Sequence, residues 1–109
     1  MASVIRGDDD FDSEGSKGLG NGQTWQNVMA SRADSVTYTN TTGRPILVSI
    51  GCPIAGYAIH WYAYVGGVEV MHSYTYASSS STYAIFVVPD GGTYSTAGLN
   101  AIWTWAELR

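Results

Sequence analysis

Apolar and polar residues alternate in short segments from Thr24 to the end of the chain, and turn residues separate these segments at regular intervals. Alternation with a period of two is typical of a β-strand that buries one face, and abundant threonine, tyrosine, valine and isoleucine favour strands further. The predicted strands span residues 24–29, 35–40, 45–51, two segments within 57–77, then 81–89, 93–98 and 100–109. This pattern predicts an all-β protein, an antiparallel β-sandwich or jelly roll, without a convincing helix.

The segment 57–77, YAIHWYAYVGGVEVMHSYTYA, is predicted to form a hairpin that turns at Gly66 and Gly67. Glycine suits a two-residue turn because the favoured turn types require positive φ. The register that follows from this turn has three pairs, which are Val65 with Val68, Ala63 with Val70, and Trp61 with His72.

The period of two then divides the hairpin into two predicted faces. The core face carries Ile59, Trp61, Ala63, Val65, Val68, Val70, His72 and Tyr74. The other face carries His60, Tyr62, Tyr64, Glu69, Met71 and Ser73. Because His60 and His72 fall on opposite faces, one hairpin cannot supply both to one metal ion. A metal site would need histidines from several chains on a symmetry axis, so we expect no metal and no other cofactor, and ordinary exposed or hydrogen-bonded histidines.

The aromatic residues of the second face are the candidate binding residues. Tyrosine offers a flat apolar surface with a polar tip, which suits stacking on sugar rings and contacts with proteins. The candidate receptor-binding residues are His60, Tyr62, Tyr64 and Met71. Burial between subunits, or in a second layer of core, explains the same residues, and both alternatives stay open.

Charge is concentrated before Gln23, where five of the nine acidic residues and two of the five basic residues lie. The first 22 residues, MASVIRGDDDFDSEGSKGLGNG, are acidic and rich in glycine and serine, so residues 1–22 are predicted to be a flexible connector or an end added for expression. Residues 23–109 form one domain with four acids and three bases. Such a body has no basic stripe, so nucleic acid is not an expected partner.

Other chemistry finds little support in the sequence. Cys52 is the only cysteine, so an intrachain disulfide is impossible, and it is expected to be a small buried apolar residue. No apolar run is long enough to cross a bilayer, so no membrane insertion is expected. The serines cluster in a repetitive run, and the acids of the body form no recognisable pair, so we expect no enzyme.

Three separated segments closely resemble a domain found at or near the C-terminus of bacteriophage tail fibres and related prophage tail proteins. They are Thr24-Trp25-Gln26, the turn YTNTTG at residues 38–43, and the ending WAELR at residues 105–109. The segments occur in the same order as in that family and frame the domain, whereas the aromatic hairpin lies outside the matched pattern.

The resemblance implies a homotrimeric β-sandwich at the tip of a fibre, joined through its connector to the fibre shaft or another tail protein. The expected partner is a bacterial surface glycan or outer-membrane receptor, and the expected location is the virion, after synthesis in the host cytoplasm. Trp25, Trp103 and Trp105, in the framing strands of the family, are assigned to structure, because large aromatic residues dominate the energetics of a core. The apolar strand 81–89 agrees with a trimer, because its two sides carry Tyr83, Ile85 and Val87, and Ala84, Phe86 and Val88.

Two other functions stay open. A structural domain that trimerises or caps the fibre would touch no receptor and would bury its aromatic surface between chains. A virion-borne polysaccharide depolymerase would need carboxylates that face each other in a groove.

Overall fold

The computed structural model describes residues 18–53, 59–75, 81–99 and 101–109, so residues 1–17 of the predicted connector lie outside the described part. Within these ranges the chain forms eight β-strands, one short 3-10 segment (Met29–Ser31) and no α-helix, which confirms the all-β prediction. The strands are β1 (Trp25–Asn27), β2 (Tyr38–Thr39), β3 (Ile46–Cys52), β4 (Ile59–Val65), β5 (Val68–Thr75), β6 (Thr82–Val88), β7 (Thr93–Ala97) and β8 (Thr104–Leu108). Each predicted strand overlaps an observed one, although β1, β2 and β8 are shorter than the sequence pattern indicated.

The described strands form two four-stranded antiparallel sheets, with the orders β1-β8-β3-β6 and β2-β7-β4-β5. Buried apolar side chains from both sheets form one cluster, made of Ile46, Val48, Ile50, Ala84, Phe86, Val88 and Trp105 from the first sheet and Trp61, Ala63 and Tyr94 from the second. Full burial of one large aliphatic or aromatic side chain contributes about 1.5 to 3 kcal/mol. The core is therefore shared by both sheets, and Cys52 is buried beside it, as expected.

Strand β6 is apolar on both sides, as predicted. Every second residue from Thr82 onward is buried, whereas Tyr83, Ile85 and Val87 are 64, 57 and 48% exposed. On the exposed side, β3 places Leu47 opposite both Val87 and Leu108, and β1 places Trp25 opposite Leu108. We name this surface the apolar face, and its residues are Trp25, Leu47, Tyr83, Ile85, Val87 and Leu108.

The tryptophans of the framing segments differ in burial. Trp105 is fully buried, which agrees with its structural assignment, whereas Trp25 and Trp103 are 50 and 56% exposed, so burial in the core does not account for these two. Trp25 is exposed because it pairs with Leu108, whose side chain lies on the side of β8 opposite to that of Trp105 and Glu107.

A buried carboxylate organises the C-terminal segment. Glu107 is fully buried, and its Oε2 accepts hydrogen bonds from Arg32 Nε at 3.0 Å, the Tyr94 hydroxyl at 2.9 Å and Trp105 Nε1 at 3.1 Å. Its Oε1 accepts from Arg32 Nη2 and Arg109 Nη1. Burial raises the pKa of Glu107, but the hydrogen bonds from Arg32 and Tyr94 outweigh burial and hold that pKa below its ordinary value. The carboxylate is therefore charged, paired and fully hydrogen-bonded.

The C-terminal segment 105–109 contacts both of the other segments that carry the tail fibre resemblance. Thr24 and Arg109 exchange backbone hydrogen bonds of 3.4 and 3.1 Å. The Tyr38 ring meets Trp105 edge-on at 6.1 Å between centroids, and the Arg32 guanidinium lies 4.7 Å from the centre of the same ring. Both of the other segments are therefore fixed to the segment that carries Glu107.

Asn40 holds the turn that follows β2. Its buried side chain donates from Nδ2 to the carbonyl oxygens of Arg44, Val88 and Pro89. Its Oδ1 accepts hydrogen bonds from the Thr42 backbone N–H and hydroxyl. One asparagine therefore fixes the YTNTTG turn to the end of β6, which an aliphatic residue could not do.

Gly98, just after β7, is expected to tolerate no side chain. Its φ is +90°, and an added Cβ would lie 2.4 Å from the His60 carbonyl oxygen and 3.2 Å from Trp61 Cα. Gly98→Ala should therefore cost roughly 1 to 3 kcal/mol, measured by urea unfolding, because backbone strain and a backbone clash add. Gly20→Ala is the matched control, since Gly20 has the same φ of +90° with nothing within 4 Å of the added Cβ. Equal costs at the two positions would contradict the clash.

Candidate functional site

The candidate binding residues lie on the hairpin of β4 and β5, whose turn occurs where it was predicted. Val65 pairs with Val68 across Gly66 and Gly67, and both glycines have positive φ. The turn prediction and the first pair of the register are therefore confirmed.

A β-bulge changes the register two residues beyond the turn. Tyr64 pairs with Glu69, but Ala63 pairs with Met71, so Val70 is an extra residue in β5. The predicted pair of Ala63 with Val70 is therefore wrong. Strand β5 lies at the edge of its sheet, which is where bulges are most common.

Beyond the bulge, the residues of β5 lie on the opposite side from the one predicted. Trp61 pairs with Ser73, and Tyr62 pairs with His72, so the predicted pair of Trp61 with His72 is wrong. His60 and His72 consequently lie on the same exposed face, and His60 Nδ1 is 2.9 Å from His72 Nε2. The prediction that the two histidines lie on opposite sides of the sheet is wrong for the same reason.

Met71 does not lie on the face of the hairpin that carries His60, Tyr62 and Tyr64, so the predicted face of this candidate receptor-binding residue is wrong. It packs, half-buried, against the core, and with Ser49, Tyr83, Ala84 and Ile85 it lines a groove between β5 and β6. The bulge explains this placement, because it turns the apolar thioether inward and leaves the polar ring of the next residue in water, which avoids the cost of desolvating an imidazole.

The remaining core prediction for the hairpin is partly confirmed. Trp61 and Ala63 are buried and Val65 is half-buried, whereas Val68 and Val70 are exposed near the turn. The predicted core position of Tyr74 is wrong, because its side chain is 44% exposed, and the side chain of Ile59 lies outside the described residues.

Five rings form a continuous row on the exposed face of β4 and β5, which we name the aromatic row. In order, its members are Tyr64, Tyr62, His72, His60 and Tyr74. The centroids of successive rings are 6.4, 4.5, 5.2 and 4.2 Å apart, and the Tyr62 and His72 planes are inclined by only 21°. Each ring contacts the next, and rings that already pack on one another lose less conformational freedom when they bind a ligand.

Two members of the row, His72 and Tyr74, were absent from the predicted binding set. The signal for them is the adjacent apolar pair Val70 and Met71, which breaks the alternation of β5 at the position of the bulge.

Small side chains border the aromatic row along β7. Ala97 lies opposite Tyr62 and Ser95 lies opposite Tyr64, with Thr93 next on the same side, and all three are half-buried. The rings of β4 therefore lie beside these three small residues, which we name the shelf of β7. Two of the three carry hydroxyl groups. This combination presents ring faces together with hydrogen-bond donors and acceptors.

The aromatic row has little charge around it. Glu69 is the exposed acid on its side of the hairpin. The arginines of the described part bind elsewhere, since Arg32 and Arg109 contact Glu107, and Arg44 donates to the carbonyl oxygens of residues 18 and 21. A face of this kind suits a neutral, hydroxyl-rich ligand better than a polyanion.

Apart from the neighbouring His60 and His72, the groups of the described residues that could support metal or acid chemistry are dispersed. In the described residues, no three or more histidine, cysteine, aspartate or glutamate side chains converge. Asp34 accepts hydrogen bonds from the Thr96 hydroxyl and the Gly98 backbone N–H, and Glu107 is enclosed by its donors. None of the helical segments in the described ranges has the length and apolar content needed to span a bilayer.

Comparison of the chain with protein-family models matched no family. Comparisons with curated proteins and with solved structures also gave no significant match. A function for this chain therefore rests on its own residues.

Proposed function

We propose that the chain is a binding module whose ligand contacts the aromatic row. The observation that carries this proposal is the arrangement of five mutually contacting rings, His60 and Tyr62 among them, beside the hydroxyl-bearing shelf of β7. Exposed rings that are already ordered bind at low entropic cost, and the apolar faces of sugars stack on such rings while their hydroxyls take hydrogen bonds.

The particular module is a bacteriophage tail fibre tip that attaches the virion to a glycan on the bacterial surface. The three segments that resemble tail fibre domains support this assignment, and the contacts of the first two with segment 105–109 agree with a common structural frame. The frame supports the fold while the hairpin, which lies outside the resemblance, carries the specificity. The acidic residues 1–22 connect the tip to the fibre shaft or another tail protein.

The tip is a β-sandwich that works as a homotrimer. The apolar face supports assembly, because four of its side chains, Trp25, Tyr83, Ile85 and Val87, are about half exposed or more in the single chain. Contiguous apolar surface of this kind typically marks a protein contact. The apolar face and the aromatic row lie on different sheets, so one chain can contact its neighbours and a ligand at the same time.

A structural cap is the second candidate function, and the same apolar face favours it. In that case trimer assembly is the whole role of the domain, and the aromatic row is buried between chains. The two functions differ in what a change in the row affects, which is adsorption for the binding module and assembly for the cap.

A hydrolytic role has less support. Among the acids of residues 18–109, Glu107 is buried and bound to two arginines, Asp34 is hydrogen-bonded to β7 and the residue after it, and Glu69 and Asp90 are exposed. Hydrolysis of a glycoside uses two facing carboxyl groups about 5 to 10 Å apart. The proposal therefore assigns no catalytic residue and no cofactor.

Truncating the aromatic row should weaken attachment to host cells. Tyr62→Ala and Tyr64→Ala are each expected to reduce affinity about tenfold or more, since stacking contacts contribute roughly 1 to 3 kcal/mol each by analogy with base stacking on aromatic side chains. Both tyrosines are only half-buried and lie outside the core cluster, so the trimer should remain folded. Cell adsorption and light scattering measure the two effects separately.

Trp103→Ala is the control, because it removes a 56% exposed aromatic side chain outside the row. It should leave adsorption unchanged. Loss of the trimer in Tyr62→Ala and Tyr64→Ala would favour the structural cap. Unchanged adsorption with an intact trimer would remove the aromatic row from the binding function.

A further inference from the structure

The two histidines of the aromatic row are close enough to act as a pair. His60 Nδ1 and His72 Nε2 are 2.9 Å apart, and both side chains are exposed. The bulge at Val70 produces this arrangement, because without the extra residue His72 would lie on the other side of β5. In the present state one ring nitrogen donates a hydrogen to the other. When the donor ring moves that hydrogen to its other ring nitrogen by exchange with water, each neutral imidazole offers one lone pair to a metal ion.

The two nitrogens are close enough for one metal ion to bind both. Two metal–nitrogen bonds of about 2.0 Å place their nitrogens about 2.8 Å apart at a right angle and about 3.3 Å apart at a tetrahedral angle. The 2.9 Å of the present hydrogen bond lies near both separations, so small rotations of the exposed rings can direct the two lone pairs at one point. Among divalent first-row metal ions, Cu²⁺ binds nitrogen ligands most tightly.

We infer that His60 and His72 form a two-nitrogen chelate for a divalent transition-metal ion, with Cu²⁺ the preferred ion. The surroundings favour it in two ways. Tyr62 stacks on His72 at 4.5 Å and Tyr74 lies 4.2 Å from His60 between centroids, so the neighbouring rings keep the two imidazoles on the same face and close together. The arginines of the described part bind elsewhere, so no guanidinium repels the ion. Water or added ligands fill the other coordination positions.

The test uses Cu²⁺ carried by iminodiacetate, which leaves coordination positions open for two cis nitrogens. The full chain, purified without a polyhistidine tag, should bind one equivalent in a calorimetric titration. The chain has only two histidines, so His60→Gln and His72→Gln each remove one ligand of the proposed pair and leave one imidazole. Each substitution should weaken binding at least tenfold, while Tyr64→Ala, at the far end of the row, should leave it unchanged.

Electron paramagnetic resonance of the unmodified protein gives a second readout that needs no variant. The copper spectrum should show hyperfine coupling to two imidazole nitrogens, in addition to the amine nitrogen of iminodiacetate, and to one imidazole nitrogen in either single variant. Coupling to only one imidazole nitrogen in the unmodified chain, or equal affinity in His60→Gln or His72→Gln, would overturn the chelate. Neither measurement involves cells or glycans, so its outcome is separate from that of the proposed attachment function.

Discussion

Glu107→Ala is expected to lower the free energy of unfolding by about 3 to 5 kcal/mol, the cost of removing one partner from a buried ion pair. The change leaves the Arg32 guanidinium without its bidentate acceptor and leaves the buried Tyr94 hydroxyl and Trp105 Nε1 without the acceptor that they share. Urea unfolding at one fixed protein concentration measures the effect, because assembly would make stability depend on concentration.

Two substitutions separate charge from position. Glu107→Gln keeps the volume and one carbonyl acceptor, so it should cost less than Glu107→Ala. Glu69→Ala removes an exposed acid and should stay within about 0.5 kcal/mol of the unmodified protein. If Glu107→Ala lowers the free energy of unfolding by less than about 1 kcal/mol, the surrounding groups form hydrogen bonds with water instead of remaining unpaired.

The same carboxylate should make stability fall at low pH. Hydrogen bonds from Arg32 and Tyr94 hold the pKa of Glu107 below its ordinary value despite burial. Its contribution is therefore fully present above the pKa of an unfolded glutamate, about 4.3, and is lost as pH falls through the lower pKa of the folded state. Comparing Glu107→Gln with the unmodified chain between neutral pH and pH 3 isolates this contribution, because glutamine does not titrate.

The strands were predictable because their signals are local. Period-two alternation and the Gly66-Gly67 turn are properties of neighbouring residues, and they located the strands and the tip of the hairpin. The register beyond the tip of the hairpin was not predictable, because a strict period of two does not allow for the extra residue at Val70. The adjacent apolar residues Val70 and Met71 are the local sign that the alternation changes phase there.

The candidate site was predictable only in part for the same reason. His60, Tyr62 and Tyr64 lie on β4, which alternates without interruption, so their face was correctly assigned. Met71 and His72 lie on β5 beyond the extra residue, and their assigned faces were exchanged. The cluster around Glu107 could not be predicted from the sequence either, because Arg32 and Tyr94 contact Glu107 only through the packing of segments that are distant in the chain.

Ile85→Lys is expected to dissociate the proposed trimer. Ile85 is 57% exposed, and Tyr83 and Val87, exposed on the same side of β6, flank it on the apolar face. A lysine there would place a charge in the apolar contact, which costs several kcal/mol unless an opposite charge pairs with it. Each 1.4 kcal/mol corresponds to a tenfold change in affinity, so the assembly should weaken by about a hundredfold or more. The monomer should remain folded, because the side chain points away from the core cluster.

Val68→Lys is the matched control, because Val68 is 63% exposed at the hairpin tip of the other sheet and should accept the same charge without effect on assembly. Sedimentation equilibrium at micromolar concentration should give a trimer mass for the unmodified chain and Val68→Lys, and a monomer mass for Ile85→Lys. A trimer that survives Ile85→Lys would place the contact on another surface, and a monomer in the unmodified protein would contradict the trimer itself. Because the apolar face and the aromatic row belong to different sheets, Ile85→Lys should abolish the avidity of the proposed attachment, while each monomer should keep its own affinity for the proposed ligand. This result would distinguish assembly from ligand contact in a single variant.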